Sequence, residues 1–224
     1  MKEPLNVLSI DWDYFQNTNL DILPHYPDGI DHSTELSELI WSCKYEIYPY
    51  LKNNITLMET EYNNLRHILR KQASTCPVMI ANSHVHAFDF IQENKKDKIN
   101  ITNIDMHHDI INENPERDCG NWLKELLMKK AKLKWISNPI SFDMYKIQKD
   151  KDLLHAINSI HAGTSLDVIK NESYDIIFLA RSDTWSPPHL DKYFCQLVNE
   201  MTNHFDKITI ETSVKKPRKQ ILLN

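Results

Sequence analysis

The chain has 224 residues, of which 41% are hydrophobic and 25% charged, and its formal net charge is -5. This size and composition are typical of one globular domain over residues 1–224, and the acidic balance predicts no nucleic-acid partner. No apolar run approaches the roughly 18 residues that span a bilayer, so no membrane partner is expected. Four dispersed cysteines favour reduced thiols and a cytoplasmic location. With only three glycines, a dinucleotide fingerprint or a P-loop is excluded.

Short apolar runs alternate with helical patterns along the chain. Runs of strand length occupy 5–10, 78–81, 99–104, 133–136, 174–180 and 208–211. Helical patterns occupy 33–51, 56–72, 85–92, 121–131, 149–160 and a segment from 187 to about 205, which begins with two prolines. This alternation predicts an α/β fold with a mostly parallel sheet and helices on both faces. In such a sheet, ligands bind at the carboxyl ends of the strands.

Polar and ionisable residues follow four of these strands. They are Asp11 and Asp13; Asn82, Ser83, His84 and His86; Asp105, His107, His108 and Asp109; and Arg181, Ser182 and Asp183. Because parallel strands end at one edge, we expect a single site there. Carboxylates and imidazoles without nearby thiolates suit Mn²⁺, Fe²⁺ or Zn²⁺. Six such ligands are too many for one ion and predict two divalent cations: Asp11, Asp13, His84, Asp105, His107 and Asp109.

Several of these residues have simpler interpretations when they are considered alone. Asp-x-Asp is more often a strand-end turn, and a single histidine more often lies at a helix start or on the surface. Asp105-x-His107-x-Asp109 is far more specific for metal. Strand alternation predicts that His108 points away from its neighbours. The basic cluster Lys215, Lys216, Arg218 and Lys219 is expected to be a solvated terminus.

The segment from Asp105 to Asn121 resembles the signature of arginases and agmatinases, the ureohydrolases. It has Asp-x-His-x-Asp, an Asn-rich loop at 110–115 and the turn Cys119-Gly120-Asn121. The segment 81–84 resembles the Gly-Gly-Asp-His motif that supplies the first metal histidine, and 8–13 resembles the Ser-x-Asp-x-Asp strand. In ordinary arginases that strand lies near the C-terminus, whereas here it opens the chain. This order and the segment 178–188 look more like the divergent branch that includes peptide arginases, which convert arginine in ribosomally made peptides to ornithine.

The resemblance implies an arginase/deacetylase-like three-layer fold with two Mn²⁺, although other divalent transition metals are possible. Asp105 and Asp11 would bridge the ions, His84 and Asp109 would complete one site, and His107 and Asp13 the other. His86 is the reserve for His84. Water acidified by both ions would attack the guanidinium carbon of an arginine-containing peptide or a small guanidino substrate, releasing urea.

The resemblance also implies substrate and proton-transfer residues. A carboxylate should hold the guanidinium; we nominate Asp183 and, second, Glu211, whose simpler roles are a helix N-cap and an exposed strand end. Asn121 would contact substrate or cap the following helix. The histidine that follows the turn in arginases is Leu123 here, so His86 or His108 would move the proton. The loop 16–31 is expected to cover the site.

Three other functions remain open. A strand ending in Asp-x-Asp also resembles haloacid-dehalogenase-type phosphatases, with Asp11 as nucleophile, Asp13 as acid and one Mg²⁺. That function leaves Asp105-x-His107-x-Asp109 unexplained, because Mg²⁺ sites rarely use histidine. A single-zinc deacetylase would need fewer ligands. A non-catalytic, metal-stabilised protein that binds arginine-rich peptides is the fourth possibility, and the change at Leu123 is compatible with it.

Overall fold

The computed structural model describes residues 3–27, 30–110, 116–145 and 164–219. The strands are β1 Leu5–Asp11, β2 Gln16–Asn17, β3 Thr56–Leu57, β4 Val78–Ala81, β5 Ile99–Asp105, β6 Lys132–Ser137, β7 Ile176–Ala180 and β8 Ile208–Ile210. The helices are α1 Thr34–Ile47, α2 Leu51–Asn54, α3 Glu59–Arg70, α4 His86–Glu93, α5 Trp122–Met128, α6 Ser141–Tyr145 and α7 Asp191–His204. The predicted helix at 149–160 lies outside the described residues.

Six strands form one sheet in the order β6-β5-β1-β7-β4-β8, and each neighbouring pair is parallel. The prediction of a mostly parallel sheet is therefore confirmed. β1 lies in the middle, with Ile10 opposite Ile104 of β5 and Asp11 opposite Ala180 of β7. The carboxyl ends of β1, β5, β7 and β4 consequently reach the same edge of the sheet, next to one another.

Helices cover both faces of the sheet, which makes three layers. On one face, Leu8 and Ile10 of β1 pack with apolar residues of α3 and α7. On the other face, Leu5 and Val7 of β1 pack with apolar residues of α4 and α5. Successive side chains of a strand point to opposite faces, so a central strand with both faces covered becomes apolar almost throughout. This explains the continuous apolar run at the start of the chain.

The loop that follows β1 differs from the expected lid. Gln16–Asn17 pairs antiparallel with Thr56–Leu57, and Ile22 and Tyr26 pack against Trp41 of α1 in a separate apolar cluster. The first part of the predicted lid is thus anchored to α1 and α2. Its last residue, Asp31, lies near the carboxyl edge of the sheet, where its side chain accepts a hydrogen bond from Ser83.

Several predicted boundaries were wrong. The helix expected over 33–51 ends at Ile47, and a separate short helix follows it. The residues after Pro187 form a 3₁₀ turn, Pro188–Leu190, before α7 begins at Asp191.

The basic terminus is not wholly solvated, because Arg218 is only 5% exposed. Among the described residues, no helix combines the length and the apolar character needed to cross a bilayer.

Candidate metal centre

The predicted ligands converge at the carboxyl edge of the sheet. Two groups of side chains could each hold an ion, with ligand atoms within 4.8 Å of one another. One group is Asp11, His84 and Asp105; the other is Asp13, Asp105 and His107. Asp105 belongs to both groups because it ends β5 beside β1, between the two imidazoles. The arrangement therefore offers ligands for two adjacent cations with a shared carboxylate.

The first group surrounds Nδ1 of His84. This atom lies 3.2 Å from Oδ2 of Asp11, and 3.1 Å from Oδ2 of both Asp105 and Asp109. His84 is 1% exposed, so these groups face one another away from bulk solvent. Asp109 was predicted to complete this site; it contacts His84 but is not one of the three residues of the group.

The second group surrounds His107. Its Nδ1 lies 2.7 Å from Oδ2 of Asp13 and 3.8 Å from Oδ1 of Asp105. The side chain of His107 is 21% exposed, whereas Asp13 and Asp105 are almost completely buried. The second group is therefore the more accessible of the two, and it gives the centre its open side.

Two buried atoms in the centre have no hydrogen-bond partner, although charged atoms lie close to them. They are Nδ1 of His84 and Oδ2 of Asp13. Leaving a buried polar atom unsatisfied costs about 1–3 kcal/mol, and more when it is charged. The nitrogen and oxygen atoms here lie close together but are not aligned for hydrogen bonds. Such an arrangement is expected of atoms that bind the same cation. The residues present thus fit a pair of divalent ions with oxygen and nitrogen ligands.

Neighbouring residues hold the first group in position. Oγ of Ser9 lies 2.7 Å from Nε2 of His84, which leaves Nδ1 for the centre. The His84 ring also stacks on Phe178 with an interplanar angle of 4°. The indole of Trp122 donates a hydrogen bond to Oδ2 of Asp109. Such outer partners fix the orientation and the tautomer of a ligand. The sequence analysis did not assign Ser9 or Trp122 to the site.

Two non-glycine residues at the centre have a left-handed backbone. Asp109 has φ of 54° and Ser182 has φ of 53°. This conformation is unfavourable for a residue with a Cβ atom, and such strain is concentrated at functional sites. Both residues act directly on the centre, because Asp109 lies against His84 and the Ser182 hydroxyl donates to Oδ2 of Asp11.

The buried charges shift the pKa values of the centre. Burial and then the charges of Asp109 and Asp13 raise the pKa of Asp105 well above its usual value. Burial and then Asp13 raise the pKa of Asp11. Burial lowers the pKa of His107, but the neighbouring Asp13 outweighs it and the pKa rises to about 9. Contacts with Asp105 and Asp109 likewise outweigh burial and raise the pKa of His84. Protons and cations therefore compete for the same atoms.

This competition predicts a pH-dependent affinity for Mn²⁺. At pH 7, His107 of the metal-free protein carries a proton, because its pKa is about 9, and a cation must displace that proton. We expect the association constant to rise about tenfold per pH unit for each displaced proton between pH 6 and 8, and to level off as pH approaches 9. Chelator competition at several pH values measures this slope. An affinity that is constant from pH 6 to 8 would contradict the prediction.

His86 and Glu211 lie near the centre but outside both ligand groups. His84, not the reserve His86, lies in the cluster. Nε2 of His86 is 3.6 Å from Oε1 of Glu211, and their side chains are 41% and 29% exposed. Oε2 of Glu211 accepts the backbone N–H of Asn82. The pair thus lies beside the loop that carries His84 and is open to solvent.

Asp183 has a different role from the one predicted. Both of its carboxylate oxygens accept hydrogen bonds from the guanidinium of Arg181, and Oδ2 also accepts the hydroxyl of Thr34. Asp183 and Arg181 are both 0% exposed. These contacts leave neither oxygen free for a substrate guanidinium. Its place in the sequence, directly after a strand, does not distinguish a structural ion pair from a substrate contact.

The other nominated residues make mainly structural contacts. Nδ1 of His108 accepts the N–H of Ile110, and its ring packs 4.4 Å from that of Tyr145. Asn121 joins the ends of its own turn, donating to the carbonyl of Glu116 and accepting from the N–H of Asp118. Its side chain makes no capping hydrogen bond to α5. Leu123 is 0% exposed in the apolar core.

Four half-buried side chains that the sequence analysis did not assign to the site lie around the centre: Asp31, Cys119, Tyr145 and Trp185. The ring of Trp185 lies 5.1 Å from that of His107. Burial and the charges of Asp31 and Asp109 raise the pKa of Cys119. Burial and the charges of Asp109 and Asp105 raise the pKa of Tyr145.

Comparison with models of protein families, with curated proteins and with solved structures found no match. The candidate ligands and the residues around them are therefore the basis for assigning chemistry to this chain.

Proposed function

We propose that this protein is a metal-dependent amidinohydrolase that binds two Mn²⁺ and hydrolyses the guanidinium of arginine in a peptide, giving ornithine and urea. The observation that carries the proposal is the position of Asp105 between two ligand groups, each with one imidazole. Two divalent ions held there would supply an acidified water molecule as the nucleophile. The resemblance of the Asp105–Asn121 segment to ureohydrolases supports this chemistry over other two-metal hydrolases.

The ligand types support manganese. The two groups offer carboxylate oxygens and imidazole nitrogens, without a thiolate. Such ligands suit Mn²⁺, and also Fe²⁺ or Zn²⁺, whereas Mg²⁺ rarely takes histidine. The phosphatase alternative would use Asp11 as the nucleophile. Asp11 is 3% exposed, and its two oxygens accept hydrogen bonds from the Asp13 N–H and the Ser182 hydroxyl. These contacts favour a ligand over a nucleophile.

The reaction needs a route for protons. Water adds to the guanidinium carbon, the bond from that carbon to Nε of the substrate breaks, and the leaving nitrogen gains a proton to become the ornithine amine. We assign this transfer to His86, which is half-exposed and close to Glu211. Leu123 cannot do so, because it is an apolar residue in the core.

A peptide substrate and a cytoplasmic location belong to the same proposal. The net charge of -5 favours a cationic partner, and the side chain of His107 at the open side of the centre is 21% exposed. The four cysteines are free thiols, as in proteins of reducing compartments.

The proposal is tested by metal analysis and urea release. We expect about two Mn²⁺ per chain after reconstitution, and urea release from an arginine-containing peptide that leaves ornithine in the product. Free arginine and agmatine serve as the small-substrate comparison. Two bound ions without urea from any of the three would reject the amidinohydrolase assignment and retain the metal centre. No bound transition metal would reject both.

A further inference from the structure

Asp31 is a carboxylate beside the centre that no ligand group uses. It lies in the segment before α1, and its Oδ2 accepts a hydrogen bond from Ser83, the residue before His84. Its charge acts on Cys119, and it is itself acted on by the charges of Asp11 and Asp183. Asp31 is therefore close to the metal centre, on the side formed by the β4–α4 loop.

Asp31 differs from the other acidic residues near it in its partners. Asp183 is paired with Arg181, Asp191 with Arg218, and Glu211 with His86. Within the described part of the chain, Asp31 forms no ion pair with a lysine or arginine; its hydrogen-bond partner is Ser83. Burial raises the pKa of Asp31 to about 6. A desolvated carboxylate with a single hydroxyl donor has most of its roughly four acceptor positions unfilled.

The surroundings of Asp31 favour a planar organic cation over a third metal ion. Asp31 belongs to neither ligand group. The indole of Trp185 is nearby, because the two segments are joined by a backbone contact. The N–H of His32, the residue after Asp31, donates a hydrogen bond to the hydroxyl of Thr184, the residue before Trp185. A guanidinium forms paired hydrogen bonds with a carboxylate and packs its face on an aromatic ring. A carboxylate and an indole beside the centre offer both contacts.

We propose that Asp31 is the substrate-recognition carboxylate of this site and that it holds the guanidinium of the arginine side chain beside the metal centre. This inference rests on the proposed function, since it concerns the same substrate, and it replaces the nomination of Asp183. Ser83 positions Asp31, and Trp185 supplies an aromatic face for the cation. Recognition and metal binding are thus assigned to different carboxylates.

The test compares two probes on the Mn²⁺-loaded protein. Nα-acetyl-arginine amide carries the guanidinium, and Nα-acetyl-citrulline amide replaces it with a neutral ureido group of similar shape. We expect wild-type protein to bind the arginine probe about 10- to 150-fold more tightly, the range of charge-assisted hydrogen bonds. Asp31→Asn should remove that preference while Mn²⁺ stoichiometry stays at the wild-type value. Calorimetry measures binding, and a urea assay of the same sample identifies any heat that comes from hydrolysis of the arginine probe.

The matched control is Glu35→Gln, which removes an exposed carboxylate from the first turn of α1, four residues from Asp31. It should keep the preference within about threefold, because screened surface charges contribute little. A retained preference in Asp31→Asn, or its loss in Glu211→Gln instead, would overturn the assignment. Loss of Mn²⁺ from Asp31→Asn would also overturn it, by making Asp31 a metal ligand. An Asp31-dependent preference in a protein that releases no urea would support recognition by Asp31 while rejecting the amidinohydrolase.

Discussion

Replacement of Asp105 by asparagine is expected to remove both metal ions and all urea release. Oδ2 of Asp105 lies 3.1 Å from Nδ1 of His84, and Oδ1 lies 3.8 Å from Nδ1 of His107. One substitution therefore removes a charged ligand from each group. Loss of an outer-shell partner costs roughly 10- to 100-fold in metal affinity, and loss of a shared ligand should cost more at each ion. Metal content after dialysis, measured beside urea release, gives both readouts.

The controls for Asp105→Asn separate a shared ligand from a folding defect. Asp143→Asn removes an exposed carboxylate on α6 and should keep both ions. Asp13→Asn should weaken mainly the ion beside His107, because Asp13 belongs to that group alone. Metal-free Asp105→Asn should be at least as stable as wild type, because ionising a carboxyl of raised pKa among other carboxylates costs stability. An Asp105→Asn protein that keeps both ions with unchanged affinity would show that Asp105 is not shared.

The clustering of the six predicted ligands could be foreseen from the sequence because it depends on a local rule. Each follows an apolar run of strand length, and parallel strands in one sheet end at one edge. The rule requires neither the exact ends of the strands nor their order in the sheet. Errors of a few residues in the predicted boundaries therefore did not affect the prediction of the site. It holds for His84 although β7 lies between β4 and β1, since the short loop after β4 reaches across to Asp11.

The residues that support and surround the ligands could not be predicted this way. Ser9 and His84 are 75 positions apart, and Ser182 and Asp11 are 171 apart. Their contacts follow from strand order, which the alternation of strands and helices does not specify. Asp31 follows no strand and reaches the site through the path of its loop. Because Asp31 is far along the sequence from any recognisable motif, the sequence analysis gave it no role at the site.

For Asp183 and Arg218, the sequence indicated the chemistry of the side chain but not its role, because the role depends on a buried partner. Asp183 does bind a guanidinium, as nominated, but the guanidinium is that of Arg181. Sequence position cannot show that both groups are buried together. Arg218 was assigned to a solvated tail by composition, yet its partner Asp191 lies 27 positions away at the start of α7. Composition describes a basic tail as a whole and gives no information about a single paired residue within it.

Replacement of Arg218 by methionine is expected to lower the free energy of unfolding by about 3–5 kcal/mol, the range for breaking one side of a buried ion pair. The Arg218 side chain is 0% exposed, and Nη2 lies 2.7 Å from Oδ1 of Asp191. Nε also donates to Oδ2 of Asp191, and the remaining guanidinium hydrogen bonds go to the carbonyls of Asp183 and Ser186. Methionine fills part of the volume but leaves Asp191 and two carbonyls without these donors. Urea unfolding of the metal-free protein measures the change.

Arg70→Met is the matched control, because Arg70 also pairs with a carboxylate but is 60% exposed. We expect it to cost less than about 1 kcal/mol, since solvent screens such pairs. Adding Asp191→Asn to Arg218→Met should recover part of the loss, because it removes a buried charge whose remaining cationic neighbour, Arg181, lies 3.8 Å away. Equal, small effects for Arg218→Met and Arg70→Met would mean that the C-terminal segment does not stabilise the fold. A large loss of unfolding free energy confined to Arg218→Met would show that the C-terminal segment stabilises residues 183–191 next to the metal centre.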